Sequence, residues 1–198
     1  MSAHLEKIKE EIIALQPVYT DIGNATRLIL PEGESLDSRG MRSVIMALAR
    51  IYAVDLAAQR DSLELRLNRH GVMPFYLSKE RIFVPLKMRK ALAPKDMVYG
   101  YVDVRFMGEV AASGDRTCMV PLPGSRQIEI VSKRSTVLQC QHMGQRLLKI
   151  LNSEKSSDPG EKILTDVSIY LHRTIKGIER RLENIEVAII DHEAREEK

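Results

Sequence analysis

Apolar residues recur along this chain in different rhythms, and each rhythm predicts a different element. Leu5, Ile8, Ile12 and Leu15 step by three and four, which predicts an amphipathic helix over residues 3–16, ended by Pro17. Asn24 to Pro31 reads as a short strand, and Pro31-Glu-Gly-Glu-Ser as a turn. Ser38 is a candidate N-cap for a helix running to about Asp55, with Met41, Val44, Ile45, Leu48 and Tyr52 on one face. From there the period shortens to two. Leu63, Leu65 and Leu67 alternate with Ser62, Glu64, Arg66 and Asn68, which predicts a strand with one dry and one wet face.

Further strands are predicted at Val72–Leu77, Arg81–Val84 and Val98–Phe106. Thr117–Leu122 and Arg126–Val131 form a hairpin closed by Pro121-Leu-Pro-Gly-Ser. The helical period returns at 135–151, where Val137, Cys140, Met143, Leu147, Leu148 and Leu151 share a side. The predicted fold is α+β: a central, mostly antiparallel sheet of five to seven strands with helices packed from both flanks. Residues 1–151 make up this domain. Residues 152–160 (Asn-Ser-Glu-Lys-Ser-Ser-Asp-Pro-Gly) have linker composition, and 161–198 carry a long amphipathic helix.

In that last helix Leu164, Val167, Leu171, Thr174, Ile178, Leu182, Ile185 and Ile189 step by 3, 4, 3, 4, 4, 3 and 4, a heptad seam with one stutter. Such a seam buries either against its own domain or against a second copy. Its length favours the second, so Leu164, Val167, Leu171, Ile178, Leu182, Ile185 and Ile189 are candidate oligomerisation residues.

Composition adds little until the charge is mapped. The 198 residues are 44% hydrophobic and 29% charged, which suits a globular core, and the net charge is only +3. Residues 60–105, however, hold ten cations against five acids. Between Arg81 and Lys95 there are five cations and no carboxylate. The connection carrying Lys87, Arg89, Lys90 and Lys95 is read as a solvent-exposed basic loop between two strands, a platform for a polyanion. Arg66 and Arg69, on the wet face of the alternating strand, widen it. Arg89 is the first candidate for insertion into a narrow, A·T-rich minor groove. The plainer reading is a solvated surface.

Candidate chemistry of other kinds is sparse. None of His4, His70, His142, His172 and His192 has metal-ligand spacing with a carboxylate or cysteine, and no metal or cofactor is expected. There is no Walker loop, dinucleotide fingerprint or nucleophile elbow, so the chain does not read as an enzyme. Cys118 and Cys140 read as reduced, buried thiols. Phe75, Tyr76, Phe83, Tyr99, Tyr101 and Phe106 fall in strand runs, as core packing or as base-stacking platforms, with core packing the commoner use. With no signal-peptide pattern and no run near the ~20 apolar residues that span a bilayer, the expectation is a cytoplasmic protein without a membrane partner.

The order of these features resembles the competence transcription factor (ComK-like) family of Gram-positive bacteria over residues 19–151. The resemblance starts at Tyr-Thr-Asp-Ile-Gly-Asn-Ala-Thr-Arg-Leu-Ile-Leu-Pro from Tyr19. It is best from Met73 to Val104, where Ile-Phe-Val-Pro precedes the basic stretch with Arg89 and then Gly-Tyr-Val-Asp-Val. It continues through the hairpin at Val120–Ile130 and into Ser135–Leu151, with Gln141 and Arg146. The resemblance implies a cytoplasmic activator that binds A·T-rich promoter boxes as an oligomer, under control of an adaptor and protease. The chain departs from the family at Asp61–Gly71, where a cysteine- and aromatic-rich segment is usual, and in both terminal helices.

The resulting expectation is sequence-selective, oligomeric binding to double-stranded DNA through Arg66, Arg69, Lys87, Arg89, Lys90 and Lys95. The rival is a protein-interaction scaffold that uses the terminal helices and leaves the basic loop to solvent.

Overall fold

The computed structural model describes residues 2–94 and 96–153 and, further on, 167–168, 170–172, 174–179, 182 and 185. The fold is α+β. A helix α1 (Ser2–Ile8) leads into strands β1 (Ala14–Thr20), β2 (Gly23–Leu30) and β3 (Gly33–Asp37), then helices α2 (Met41–Ile51) and α3 (Leu56–Leu67). Strands β4 (Phe75–Ser78), β5 (Arg81–Lys87) and β6 (Tyr99–Asp103) follow, with a 3-10 turn at Val104–Phe106. Strands β7 (Ala111–Gly114), β8 (Thr117–Leu122) and β9 (Arg126–Ile130) precede helix α4 (Arg134–Ser153).

The strands form two antiparallel sheets instead of the one expected. Six lie in the order β3-β2-β1-β6-β5-β4, and three in the order β7-β8-β9. Strand β5 is buried on both faces from Arg81 to Leu86. Alternation divides its side chains between two cores. Ile82, Val84 and Leu86 join Val102, Val104 and the apolar stripe of α4 (Val137, Cys140, Leu147, Leu151). Phe83 faces the other way, among Leu5, Leu15, Leu28 and the buried stripe of α2 (Met41, Val44, Ile45, Leu48). The aromatic residues serve packing there: Phe75 stacks on Phe83 at 5.1 Å and meets Tyr101 edge-on at 5.0 Å.

Four sequence expectations are corrected. The first helix stops at Ile8, because Ile12, Ile13, Ala14 and Leu15 are all fully buried and continue as β1. Their unbroken burial marks a strand covered on both faces, and the steps of three and four across it are fortuitous. Pro17 therefore sits inside β1, beyond Ala14 and Leu15, where pairing with β6 has ended and a missing N–H is tolerated. Second, Leu63–Leu67 belongs to α3. Asp55 caps that helix by accepting from the Ala57 and Ala58 amides at 2.9 and 3.1 Å, and Asn68 closes it in the left-handed region. Third, α2 starts from Gly40, not Ser38, with no side-chain cap. Fourth, α4 runs on through Asn152 and Ser153, so those two residues are not linker. The rest of the expected linker, 154–160, lies outside the described residues.

Among the described residues no helix is long and apolar enough to cross a membrane. Cys118 and Cys140 are free and buried.

Candidate nucleic-acid interface

The basic stretch does not form one projecting loop. Arg81, its first cation, is 4% exposed. Its guanidinium donates to the carbonyls of Lys9 and Ile12 and to the Tyr52 hydroxyl, and lies 3.5 Å from the fully buried Asp103. Arg105 grips the same carboxylate with Nε at 3.1 Å and Nη2 at 2.8 Å. Arg81 is internal structure, and Arg105, though exposed, is committed to Asp103.

Arg89 is also committed. Its guanidinium lies over the Tyr19 ring, 3.7 Å from the centroid, and donates to the Met97 carbonyl at 2.9 Å and to Asn24 Oδ1 at 2.5 Å. Asp96 completes that corner by accepting from the Tyr19 hydroxyl at 2.5 Å and from the Leu92 and Ala93 amides, which hold its carboxyl low, at about 2. Arg89 thus fastens the 88–98 connection to the β1–β2 hairpin and does not project from it. Arg66 stands on α3, with its Nε donating to Ser62 Oγ, and not on a strand. Lys95 lies outside the described residues.

Three of the expected cations do come together, with two that sequence reasoning missed. A hollow of about 580 Å³ is lined by Lys87 and Lys90 from the end of β5 and beyond, Arg116 from the β7–β8 turn, and Lys133 at the start of α4. A second hollow of about 110 Å³ adjoins it, shares Lys87, Ser132 and Thr136, and adds Arg69 and Tyr99. Together they make one groove with five cations and no carboxylate in its lining. Among the described residues, the side chains of Lys87, Lys90, Arg116 and Lys133 have neither an ion pair nor a hydrogen bond.

Backbone pairing builds the groove. The Val131 amide donates to the Lys87 carbonyl at 2.7 Å and ties the end of β9 to the end of β5. The chain then turns into α4, and the Thr136 and Val137 amides bond back to the Lys133 carbonyl. The positive end of a 20-residue helix dipole therefore opens on the same groove, with no acidic residue in its first turn. Arg69 reaches across from beyond α3 to the Met143 sulfur at 3.5 Å and lies beside Cys140, whose thiol burial pushes up and Arg69 partly restores.

The signal for Lys133 was present in the sequence. A Lys-Arg pair at a helix start opposes the dipole, and such a start is favoured when an anion is to sit there. Arg116 follows Gly114-Asp115 at a hairpin tip, where a side chain is free to project.

Comparison of the chain with family models, with curated proteins and with solved structures finds no match. The groove's chemistry therefore carries the functional reading. Four cations without a side-chain partner among the described residues, together with Arg69 and a helix N-terminus, give the groove a chemistry suited to phosphates. Among the described residues no three His, Cys, Asp or Glu side chains are grouped to hold a metal ion.

Along the expected seam, Val167, Leu171, Ile178, Leu182 and Ile185 are between 50% and 59% exposed. Leu164 and Ile189 lie outside the described residues. Lys176 bonds to the buried Glu64 of α3, and His172, one turn earlier, is half-buried.

Proposed function

We propose that this protein binds double-stranded DNA along the groove between β5, the β7–β8 turn and the start of α4. The reading rests on one observation: Lys87, Lys90, Arg116 and Lys133 line that groove without a carboxylate or any side-chain partner among the described residues. Leaving four cations uncompensated in one hollow is unfavourable for the isolated protein and favourable once phosphates enter. Sequence selectivity, a preference for A/T-rich sites, a cytoplasmic location and a role as transcriptional activator rest on the ComK-like resemblance. The seam of exposed aliphatic residues after α4 pairs two copies and so sets the spacing of half-sites.

The seam also fits the rival reading, a scaffold that docks a partner helix without contacting DNA. A salt titration separates the two. If four phosphates are neutralised, log K for a duplex falls with log salt at a slope of about −3.6. The double substitution Lys90→Ala with Lys133→Ala reduces that slope by about 1.8 and weakens binding to all sequences alike. Absent or salt-insensitive binding overturns the DNA reading in favour of the scaffold.

A further inference from the structure

The chain carries its own polyanion. Asp191, Glu193, Glu196 and Glu197 stand against one cation, Arg195, and no other seven consecutive residues hold as many carboxylates. This acidic run begins beyond Ile189, the last position of the expected seam, so seam pairing does not need it.

The segment that leads to the run is tied down beside the groove. Lys176 bonds to the carboxylate of Glu64 on α3. The Arg69 amide donates to the carbonyl of the same glutamate at 3.2 Å, and the Arg69 side chain lines the smaller hollow of the groove. Asp191 follows Lys176 by about 15 residues, which span at most about 50 Å. A domain of about 150 residues is roughly 40 Å across, so the acidic run reaches the groove from this anchor.

Charge favours that destination. Lys87, Lys90, Arg116 and Lys133 have no side-chain partner among the described residues, and no carboxylate lines either hollow. Four like charges in one hollow repel, and entering carboxylates relieve the repulsion. An exposed ion pair is weak by itself, but a tether of this kind gives an effective concentration on the order of millimolar. The contacts are screened by salt and yield to a duplex, which brings more anionic groups to the same cations.

We propose that residues 191–197 occupy the groove of their own chain when DNA is absent, and compete with DNA for the same four cations. The docking follows from the groove's charge; the competition rests on duplex binding as proposed for that groove. The acidic run then selects against weak or isolated anions and raises the threshold for a duplex.

The test has two arms, and the first needs no DNA. Nitrogen-15-labelled and unlabelled full chains are mixed, equilibrated and treated with a carbodiimide, which joins a lysine amine to a carboxylate in contact with it. Mass spectrometry should find links from Lys87, Lys90 or Lys133 to residues 191–197 within one copy, lost at high salt. Hybrid links between a labelled and an unlabelled copy, or no link to these lysines, overturn the proposal. The second arm measures duplex affinity at low salt for the full chain and two variants. One carries Asp191→Asn, Glu193→Gln, Glu196→Gln and Glu197→Gln. The charge-matched control carries Glu6→Gln, Glu11→Gln, Glu32→Gln and Glu80→Gln, at exposed acids outside both hollows. The first variant should bind about tenfold tighter, the control much less, and the difference should close as salt rises. Equal gains in the two variants would reflect net charge alone and overturn the competition. Cross-links in the groove without duplex binding by any of the three proteins would uphold the docking and overturn the DNA reading instead.

Discussion

At the scale of single residues, the charged side chains divide by whether anything answers them. Glu64 is buried, and it receives Arg60 Nε at 3.0 Å, His70 Nδ1 at 3.2 Å and the Lys176 ammonium. The bond from Lys176 does most to hold its carboxyl down, at about 2 against an ordinary 4.5, and burial works in the opposite direction. A carboxyl lowered in the folded state stabilises above its unfolded value and loses that contribution as pH falls through the folded one. Stability should therefore decline between about pH 4.5 and pH 2, and Glu64→Gln should flatten this part of the profile. Urea midpoints measured across that range check it; an unchanged slope would mean Glu64 is not held this way. Asp103 is a second such centre, fully buried between Arg81 and Arg105. Asp103→Ala leaves the buried Arg81 with only the exposed Glu10 as counter-ion, 3.6 Å away, and should cost about 3 kcal/mol by chemical denaturation.

These residues also show why charge alone misled. Read along the sequence, Arg81, Lys87, Arg89, Lys90 and Lys95 form one basic run. In space, Arg81 meets a carboxylate 22 positions later, and Arg89 meets a tyrosine 70 positions earlier. Long-range partners of this kind leave no local trace. What remained visible was Lys87, Lys90 and Arg69, which line hollows without a carboxylate.

At the scale of elements, legibility followed how far local signals agreed. Helix α2 was readable because Met41, Val44, Ile45 and Leu48 fall on one buried stripe. The β8–β9 hairpin was readable because Gly124 and Ser125 both take positive φ, which suits a tight turn. Helix α3 was not, because its leucines at 63, 65 and 67 imitate a strand and only Leu63 is fully buried. The overlooked clue was Asp55 followed by Leu-Ala-Ala, an N-cap before strong helix formers. Helix α4 carries a sharper constraint. A Cβ at Gly144 would lie 2.6 Å from Val84 Cγ1 and 2.9 Å from Val104 Cγ2. Both valines are stiff, β-branched core residues, so the helix would have to move away from β5. Gly144→Ala should therefore destabilise by about 1–2 kcal/mol despite alanine's better helix propensity, because overpacking outweighs a gain of about 1 kcal/mol. Since α4 starts in the groove, the same substitution should also weaken duplex binding, which a salt titration of the variant reads directly.

At the scale of the whole molecule, the described residues after α4 that meet the folded body are Lys176 and His172, while Val167, Leu171, Ile178, Leu182 and Ile185 are exposed. A helix that docked only on its own domain would do the reverse. Five half-exposed aliphatic residues at steps of three, four and seven are costly to leave in water, and in the proposed dimer an identical seam on a second copy would cover them. In that proposed dimer, anchoring through Lys176 would set the direction in which the seam leaves the body, and with it the separation of the two grooves. Truncation after Ser153 removes both the seam and the Lys176 contact. In sedimentation the truncated chain should have a lower mass than the full chain, with the two sheets still folded by circular dichroism. Glu64→Gln loosens the anchor but keeps the seam, so it should leave the mass unchanged while lowering affinity for paired half-sites relative to a single one. A truncated chain with the mass of the full one would remove the seam from the assembly and place self-association elsewhere on the domain.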